Sequence, residues 1–318
     1  MNLRRLGRSP LEVSAIGLGC WQFSSGAGPI GSYWAAPDPA VINDIVAASL
    51  AGGINWFDTA EAYGWGNSER ALTRALQTAG KKPGDVVIAT KWWPLARTAR
   101  SIEGTFAARE SSLAPFSIDL HQIHAPVALS STEAQAAALG RLLTGRRVRA
   151  VGVSNFGARR MRAMHDALAG HGAVLATNQM RYSLVDRRIE RNGVLQTAKE
   201  LGITVIAYSP LGQGLLSGRF HDDPGAFAGV SFPRRLQMQR LVEKSRPLIT
   251  QLKAIAQAHG ASPAQVALAW LLQAHGDVVV AIPGATKRAH VETNVGAMGL
   301  ILSERERTTL DEGSRAFL

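Results

Sequence analysis

One cysteine, Cys20, stands in the whole chain, which leaves no partner for an intramolecular disulfide and excludes a zinc or iron–sulfur site built from several thiolates. Redox chemistry would have to come from a bound cofactor. Long apolar runs are also missing. Nothing approaches the roughly 20 residues that a membrane-spanning helix needs, and residues 1–13 lack the continuous apolar stretch of a signal peptide. The expectation is a cytoplasmic protein with no membrane partner. Acidic residues are in the minority, with 24 Asp and Glu against 35 Lys and Arg, for a formal charge of +11. Such a surplus can mark a nucleic-acid surface. Here the positive residues are scattered, with short clusters at Arg146, Arg147, Arg149 and at Arg159, Arg160, Arg162, and no stripe interleaved with aromatics. No nucleic-acid partner is expected. The sequence also lacks a Tyr-x-x-x-Lys pair, a G-x-x-x-x-G-K-[ST] loop, a G-x-S-x-G elbow and an H-E-x-x-H helix, and several large enzyme classes drop out with them.

What is present is the material of a large globular core, with 46% hydrophobic and 19% charged residues. Short β-branched or aliphatic runs alternate with segments of helical period from end to end. Strands are predicted at Ser14–Gly19, Ile54–Asp58, Val86–Lys91, Asp119–His124, Val148–Val153, Leu175–Asn178, Ile203–Tyr208 and Val278–Ile282. Helix starts are marked by Asp38-Pro39, by Ser262-Pro263 with Gln265, and by Ser303 with Glu306. Eight strands separated by helices fit an α/β fold, a closed (β/α)8 TIM barrel forming one domain over residues 1–318, with extra C-terminal helices. The competing doubly wound sheet has a literal G-x-G-x-x-G to offer at Gly26–Gly31. That fingerprint needs a helix directly after it, and Ser32-Tyr33-Trp34-Ala35-Ala36-Pro37 starts none, so it reads as a loop. The longest segment without a strand runs from Leu211 to about Asp277; its Gly- and Pro-rich start follows the seventh strand, where barrels often hold phosphates.

Four polar residues fall at or just beyond strand ends, where a barrel places its chemistry: Asp58, Tyr63, Lys91 and His124. Each alone has an ordinary structural reading, as a cap, a loop aromatic, a paired ammonium or a core histidine. Together they make a proton-donating centre. An ammonium beside a phenol favours the phenolate and draws its pKa down toward the working range. Asp58 would keep Lys91 charged, and His124 would orient a carbonyl oxygen. His121 and His124 do not form a metal pair, because residues three apart on a strand face opposite sides, and no metal is expected.

The run Ile54-Asn55-Trp56-Phe57-Asp58-Thr59-Ala60-Glu61-Ala62-Tyr63-Gly64, with Gly66-Asn67-Ser68-Glu69 after it, resembles the first signature of the aldo-keto reductases. Ile88–Lys91, Asp119–His124, Gly152–Phe156, Asn178-Gln179, Tyr182–Leu184, Ala207–Gly214 and Ile282–Ala285 continue the likeness in order over nearly the whole chain. The resemblance implies an oxidoreductase that reduces an aldehyde or ketone with NADP(H), NAD(H) remaining open. Tyr63 would be the general acid, with Asp58, Lys91 and His124 completing a tetrad. Ser154, Asn155 and Gln179 would hold the carboxamide and Tyr208 would stack on the nicotinamide. Ser209, Pro210, Leu211, Gln213 and Gly214 would line the pyrophosphate, and Gly284, Thr286, His290 and Asn294 the adenosine half. His290 stands where the family often carries Arg or Gln, and Thr293 where it often carries Glu. Arg219, Arg234 or Arg235, Lys287 and Arg288 are candidate partners for a 2′-phosphate, which guanidinium forks bind well. Trp21, Trp34, Trp65, Trp92 and Trp93 cluster after the first three strands, and Trp21 and Trp92 are the expected substrate contacts, suiting an apolar or aromatic carbonyl compound. Two other readings stay open: an NAD(P)-dependent sugar or alcohol dehydrogenase running oxidatively, and a cofactor-binding regulatory barrel like the potassium-channel β subunits.

Overall fold

The computed structural model describes residues 3–26, 37–227 and 232–318, and the side chains of 224, 232–235, 237 and 238 are not described. The G-x-G-x-x-G stretch and Trp34 fall largely outside these residues, as do the side chains of Arg234 and Arg235. Strands β1 (Leu3–Arg5) and β2 (Glu12–Ser14) pair as an antiparallel hairpin. Then come β3 (Leu18–Gly19), α1 (Pro39–Ala51), β4 (Trp56–Asp58), α2 (Asn67–Thr78), β5 (Val87–Trp92), α3 (Arg100–Gly104) and α4 (Phe106–Leu113). They are followed by β6 (Leu120–Ile123), α5 (Thr132–Thr144), β7 (Ala150–Ser154), α6 (Ala158–Ala169), β8 (Leu175–Arg181), α7 (Arg188–Arg191) and α8 (Val194–Leu201). The chain ends with β9 (Thr204–Tyr208), α9 (Arg219–Asp222), α10 (Phe232–Ala258), α11 (Pro263–Gln273), β10 (Val279–Ala281), α12 (Arg288–Ala297) and α13 (Glu304–Gly313).

Strands β3 to β10 form one parallel sheet in sequence order. Parallel bridges Ile16–Ala281 and Gly19–Gly284 join its two ends and close it into a barrel. All eight expected strands are there, but the first is shorter than Ser14–Gly19. Ser14 belongs instead to the hairpin, whose Leu6, Leu11 and Val13 plug the lower end of the barrel against Trp56, Val87, Leu120, Ala176 and Ile206. The plug leaves the opposite mouth as the open end. A second, larger apolar layer lies between strands and helices. Gly152 marks a tight point inside the wall: a Cβ there would lie 2.1 Å from Thr177 Oγ1, so only glycine lets β7 and β8 approach below the site.

The capping signals act as their chemistry requires. Asp38 accepts the Ala40 N–H before Pro39 opens α1, and Ser262 with Gln265 and Ser303 with Glu306 form full capping boxes on α11 and α13. The strandless stretch after β9 is mostly helical, with α10 running 27 residues through Pro247. Among the described residues no helix is long and apolar enough to cross a membrane.

Candidate active site

Period-two alternation divides β5 between two environments. Lys91 points into the barrel, and its neighbour Thr90 points out to the helix layer, where its hydroxyl donates to Glu69 Oε1 at 2.6 Å. Lys91 is wholly buried and its charge is met by Asp58, at the end of β4, in a close ion pair. The ammonium also donates to the Thr59 carbonyl at 2.9 Å and to Tyr63 Oη at 3.5 Å, and sits 5.0 Å from the Tyr63 ring centroid. Burial alone would lower the Lys91 pKa, but Asp58 and Tyr63 outweigh it and hold it above the ordinary value. Burial pushes the Tyr63 phenol up, and Lys91 pulls it only part of the way back. The ammonium therefore opposes the rise in the phenol pKa without reversing it, contrary to the fall expected from the sequence.

Asp58 holds more than Lys91. Its Oδ2 accepts Gln179 Nε2 at 2.9 Å and Gln122 Nε2 at 3.3 Å. Gln122 escaped the sequence reading, although its signal was available: two residues before His124 on β6, it shares the inward face. His124 lies just past β6, its amide donating to the Trp92 carbonyl at 3.0 Å. Its ring stands edge-on to Tyr63 at 5.6 Å and to Trp93 at 5.2 Å. Burial, with the Lys91 charge adding to it, keeps the imidazole pKa well below its ordinary value, so the ring is neutral. His121 faces the other way, edge-on to Phe106 at 5.0 Å.

The tryptophans divide differently from the expectation. Trp21 stacks on Tyr63 at 6.2 Å. Trp92 does not reach the mouth: it is 1% exposed, packs in the helix-facing layer with Ile102 and Phe106, and donates its indole N–H to Ser101. The strand alternates, so Lys91 inward forces Trp92 outward and delivers Trp93 to His124.

A family model described as "Aldo/keto reductase family" matches residues 15–315. The chain belongs to the aldo/keto reductase family. An uncharacterised oxidoreductase of Mycobacterium tuberculosis is 38% identical over 308 residues, covering 96% of this chain and 91% of that one. The chloroplastic pyridoxal reductase of Arabidopsis thaliana is 32% identical over 326 residues, covering 98% and 86%. Among solved structures, a thermostable aldo-keto reductase in complex with the inhibitor epalrestat has a TM-score of 0.79 at 29% identity, covering 98% of this chain and 100% of that chain. The glycerol dehydrogenase of Gluconobacter oxydans gives 0.79 at 28%, covering 98% and 94%. This aldo/keto reductase is thus an oxidoreductase on a TIM barrel, of a family that normally uses a nicotinamide cofactor.

Along the mouth of the reductase, the remaining candidates form a connected arc. Ser154 ends β7 and donates to the Gln179 carbonyl at 3.1 Å. Asn155 takes a left-handed backbone (φ 63°), and its amide donates to Ser154 Oγ at 3.0 Å and to the His124 carbonyl at 3.2 Å. Tyr208, ending β9, donates to Asn155 Oδ1 at 3.0 Å. A cleft of about 190 Å³ opens beside Tyr208 and Asn155, lined also by Met180, Arg181, Asp186 and Arg188. Ser209, Gln213 and Gly214 all have positive φ in the turn that continues through Pro210 and Leu211 toward Arg219. Across the mouth, Gly284 pairs with Gly19, and the Thr286 hydroxyl meets His290 Nδ1 at 3.2 Å. Burial, then the charges of Lys287 and Arg219, lower the His290 pKa. Asn294 is buried on α12. Arg288 is committed to Asp44 at 2.8 Å and Glu292 at 2.9 Å.

Proposed function

We propose that this reductase converts an aldehyde or ketone to the alcohol using NADPH, with Tyr63 as the general acid. The observation that carries the reading is the buried ammonium of Lys91 set between the Asp58 carboxylate and Tyr63 Oη. A bound reduced nicotinamide supplies the hydride. Tyr63 gives its proton to the carbonyl oxygen as that oxygen becomes an alkoxide. Lys91 stabilises the phenolate left behind, and Asp58, itself fixed by Gln179 and Gln122, keeps the ammonium in place. His124, neutral at working pH, donates a hydrogen bond to the same carbonyl oxygen and orients it.

The residues fit the cofactor. Asn155, Ser154 and Gln179 offer amide and hydroxyl groups matched to a carboxamide, and Tyr208 offers a flat ring packed on the barrel interior. Arg219 and Lys287 supply the cationic chemistry for a 2′-phosphate, which favours NADPH over NADH. Trp21 and Trp93 flank Tyr63 and His124 and favour an apolar or aromatic substrate. Pyridoxal reductase and glycerol dehydrogenase among the similar proteins suit a site that runs in either direction.

The test is NADPH oxidation against a panel of aldehydes and ketones, with NADH in parallel. Tyr63→Phe should bind NADPH as the wild type does and lose roughly 10²–10⁴-fold in turnover, the range for a general acid. Equal turnover in the variant would sink the mechanism, and tight cofactor binding without turnover on any carbonyl or alcohol would move the reading to a regulatory barrel.

A further inference from the structure

The loops that carry Tyr63, Trp93 and His124 meet at one carboxylate. Glu61, two residues before Tyr63, is 5% exposed. Its Oε2 accepts the Trp93 backbone N–H at 3.0 Å and its Oε1 accepts Arg97 Nη1 at 2.7 Å. Its own N–H donates to the Lys91 carbonyl at 3.1 Å. Arg97 passes the connection on, since its carbonyl accepts the Leu129 N–H at 2.9 Å, and two residues later Ala99 N donates to Ser130 Oγ at 2.7 Å. The segment holding Leu129 and Ser130 is the continuation of the chain from His124. Glu61, itself on the loop after β4, is thus bonded directly to β5 and the loop after it and, through Arg97, to the loop after β6.

We infer that Glu61 is a positioning residue, a buried clamp that fixes the Tyr63 loop against Trp93 and His124 and thereby sets the reacting geometry. The inference rests on the proposed reduction for its kinetic part only. A carboxylate is suited to the role because it can accept from two donors on different loops at once, and burial strengthens both bonds by removing competing water. As proposed, the clamp acts through the side chains it holds.

Two measurements on the full chain test it. The first is amide hydrogen exchange, which needs no turnover. In Glu61→Ala the Trp93 and Leu129 amides should exchange at least about tenfold faster, and α12 should be unaffected, because local opening follows the loss of local bonds. The second is steady-state kinetics with NADPH and an aromatic aldehyde. kcat should fall about tenfold or more in Glu61→Ala, since small misplacements of reacting groups cost that much, while the NADPH Kd stays within about twofold. Glu61→Gln keeps one carbonyl oxygen for the Trp93 N–H and should recover kcat to within about threefold of wild type. Should Glu61→Ala fail to fold, Arg97→Gln removes only the outer arm and should still speed Leu129 exchange. Unchanged exchange at both amides overturns the clamp, and faster exchange with unchanged kcat overturns its positioning role. A wild type inactive on every carbonyl sinks the proposed reduction instead, and the exchange result then judges the clamp alone.

Discussion

A phenol is a weak acid at neutral pH, and burial makes Tyr63 weaker still, so in the proposed mechanism what Lys91 contributes is support for the phenolate at the moment of transfer. The sign of the pH dependence follows. If Tyr63 is the general acid as proposed, it must hold its proton for reduction, and because burial raises its pKa above the ordinary 10, activity should be lost only on the alkaline side. His124 stays neutral through the whole working range because its pKa lies well below 6.5. Reductive kcat should therefore be flat from about pH 6 to 9 and fall only above that, with the oxidative direction rising over the alkaline range. A pH profile showing a limb near 6.5 that disappears in His124→Asn would contradict this account. That Asp58, Tyr63, Lys91 and His124 would come together was legible in the sequence because each falls at or just beyond a strand end in a pattern of alternating elements. The bonds of Gln122 and Glu61 were not, because polar residues beside the candidate site carry no mark of which atom they reach. Trp92 was misplaced by one residue, and on a strand one residue is the difference between the two faces.

Strand β5 presents its other face to a buried polar group in the layer between strands and helices. Glu69 on α2 faces Arg109 on α4 at 3.3 Å, and His121 on β6 has neither ring nitrogen hydrogen-bonded among the described residues. Burial raises the Glu69 pKa to about 7, with Arg109 and the Thr90 hydroxyl opposing it. Burial, then Arg109, lower that of His121 to about 3. The two act on stability with opposite signs. Glu69 keeps its proton in the fold after the unfolded chain has lost it, so its contribution is full below about pH 4.5 and is lost as pH rises to about 7. His121 resists protonation in the fold, so its contribution is full above about pH 6.5 and is lost as pH falls toward 3. Glu69→Gln should remove the first slope: relative to wild type, its stability should improve by on the order of 3 kcal/mol between pH 4.5 and 7. His121→Leu should remove the second, gaining relative to wild type as pH falls below 6.5. Denaturant midpoints across pH 4.5 to 8 would read both, and parallel curves for all three proteins would show the group to be electrostatically silent. Strands and helices themselves were legible because capping chemistry and alternation are local. The hairpin β1–β2 was not, since Leu6, Leu11 and Val13 make sense only as a plug for a barrel assembled from distant segments.

At the scale of the molecule, the charge of +11 acts on the anion the site would bind. A positive field draws NADPH and NADH alike, so net charge alone cannot separate them. Separation would need a local contact to the 2′-phosphate, and on the proposed reading Arg219 and Lys287, whose charges both act on His290, are the cations for it, since among the described residues no ion pair engages them while Arg288 pairs with Asp44 and Glu292. The two effects respond differently to salt. Long-range attraction fades once the Debye length falls below about 10 Å, near 0.1 M, and a close charged hydrogen bond persists further. Raising salt to about 0.1 M should therefore weaken both cofactors together, and only higher salt should erode the NADPH preference. Arg219→Ala should raise the KM for NADPH roughly tenfold or more, as loss of a charge-assisted hydrogen bond does, and leave that for NADH nearly unchanged. If both KM values rose equally in Arg219→Ala, the guanidinium would be serving the shared pyrophosphate, and Lys287→Ala would become the variant that must discriminate between the two cofactors.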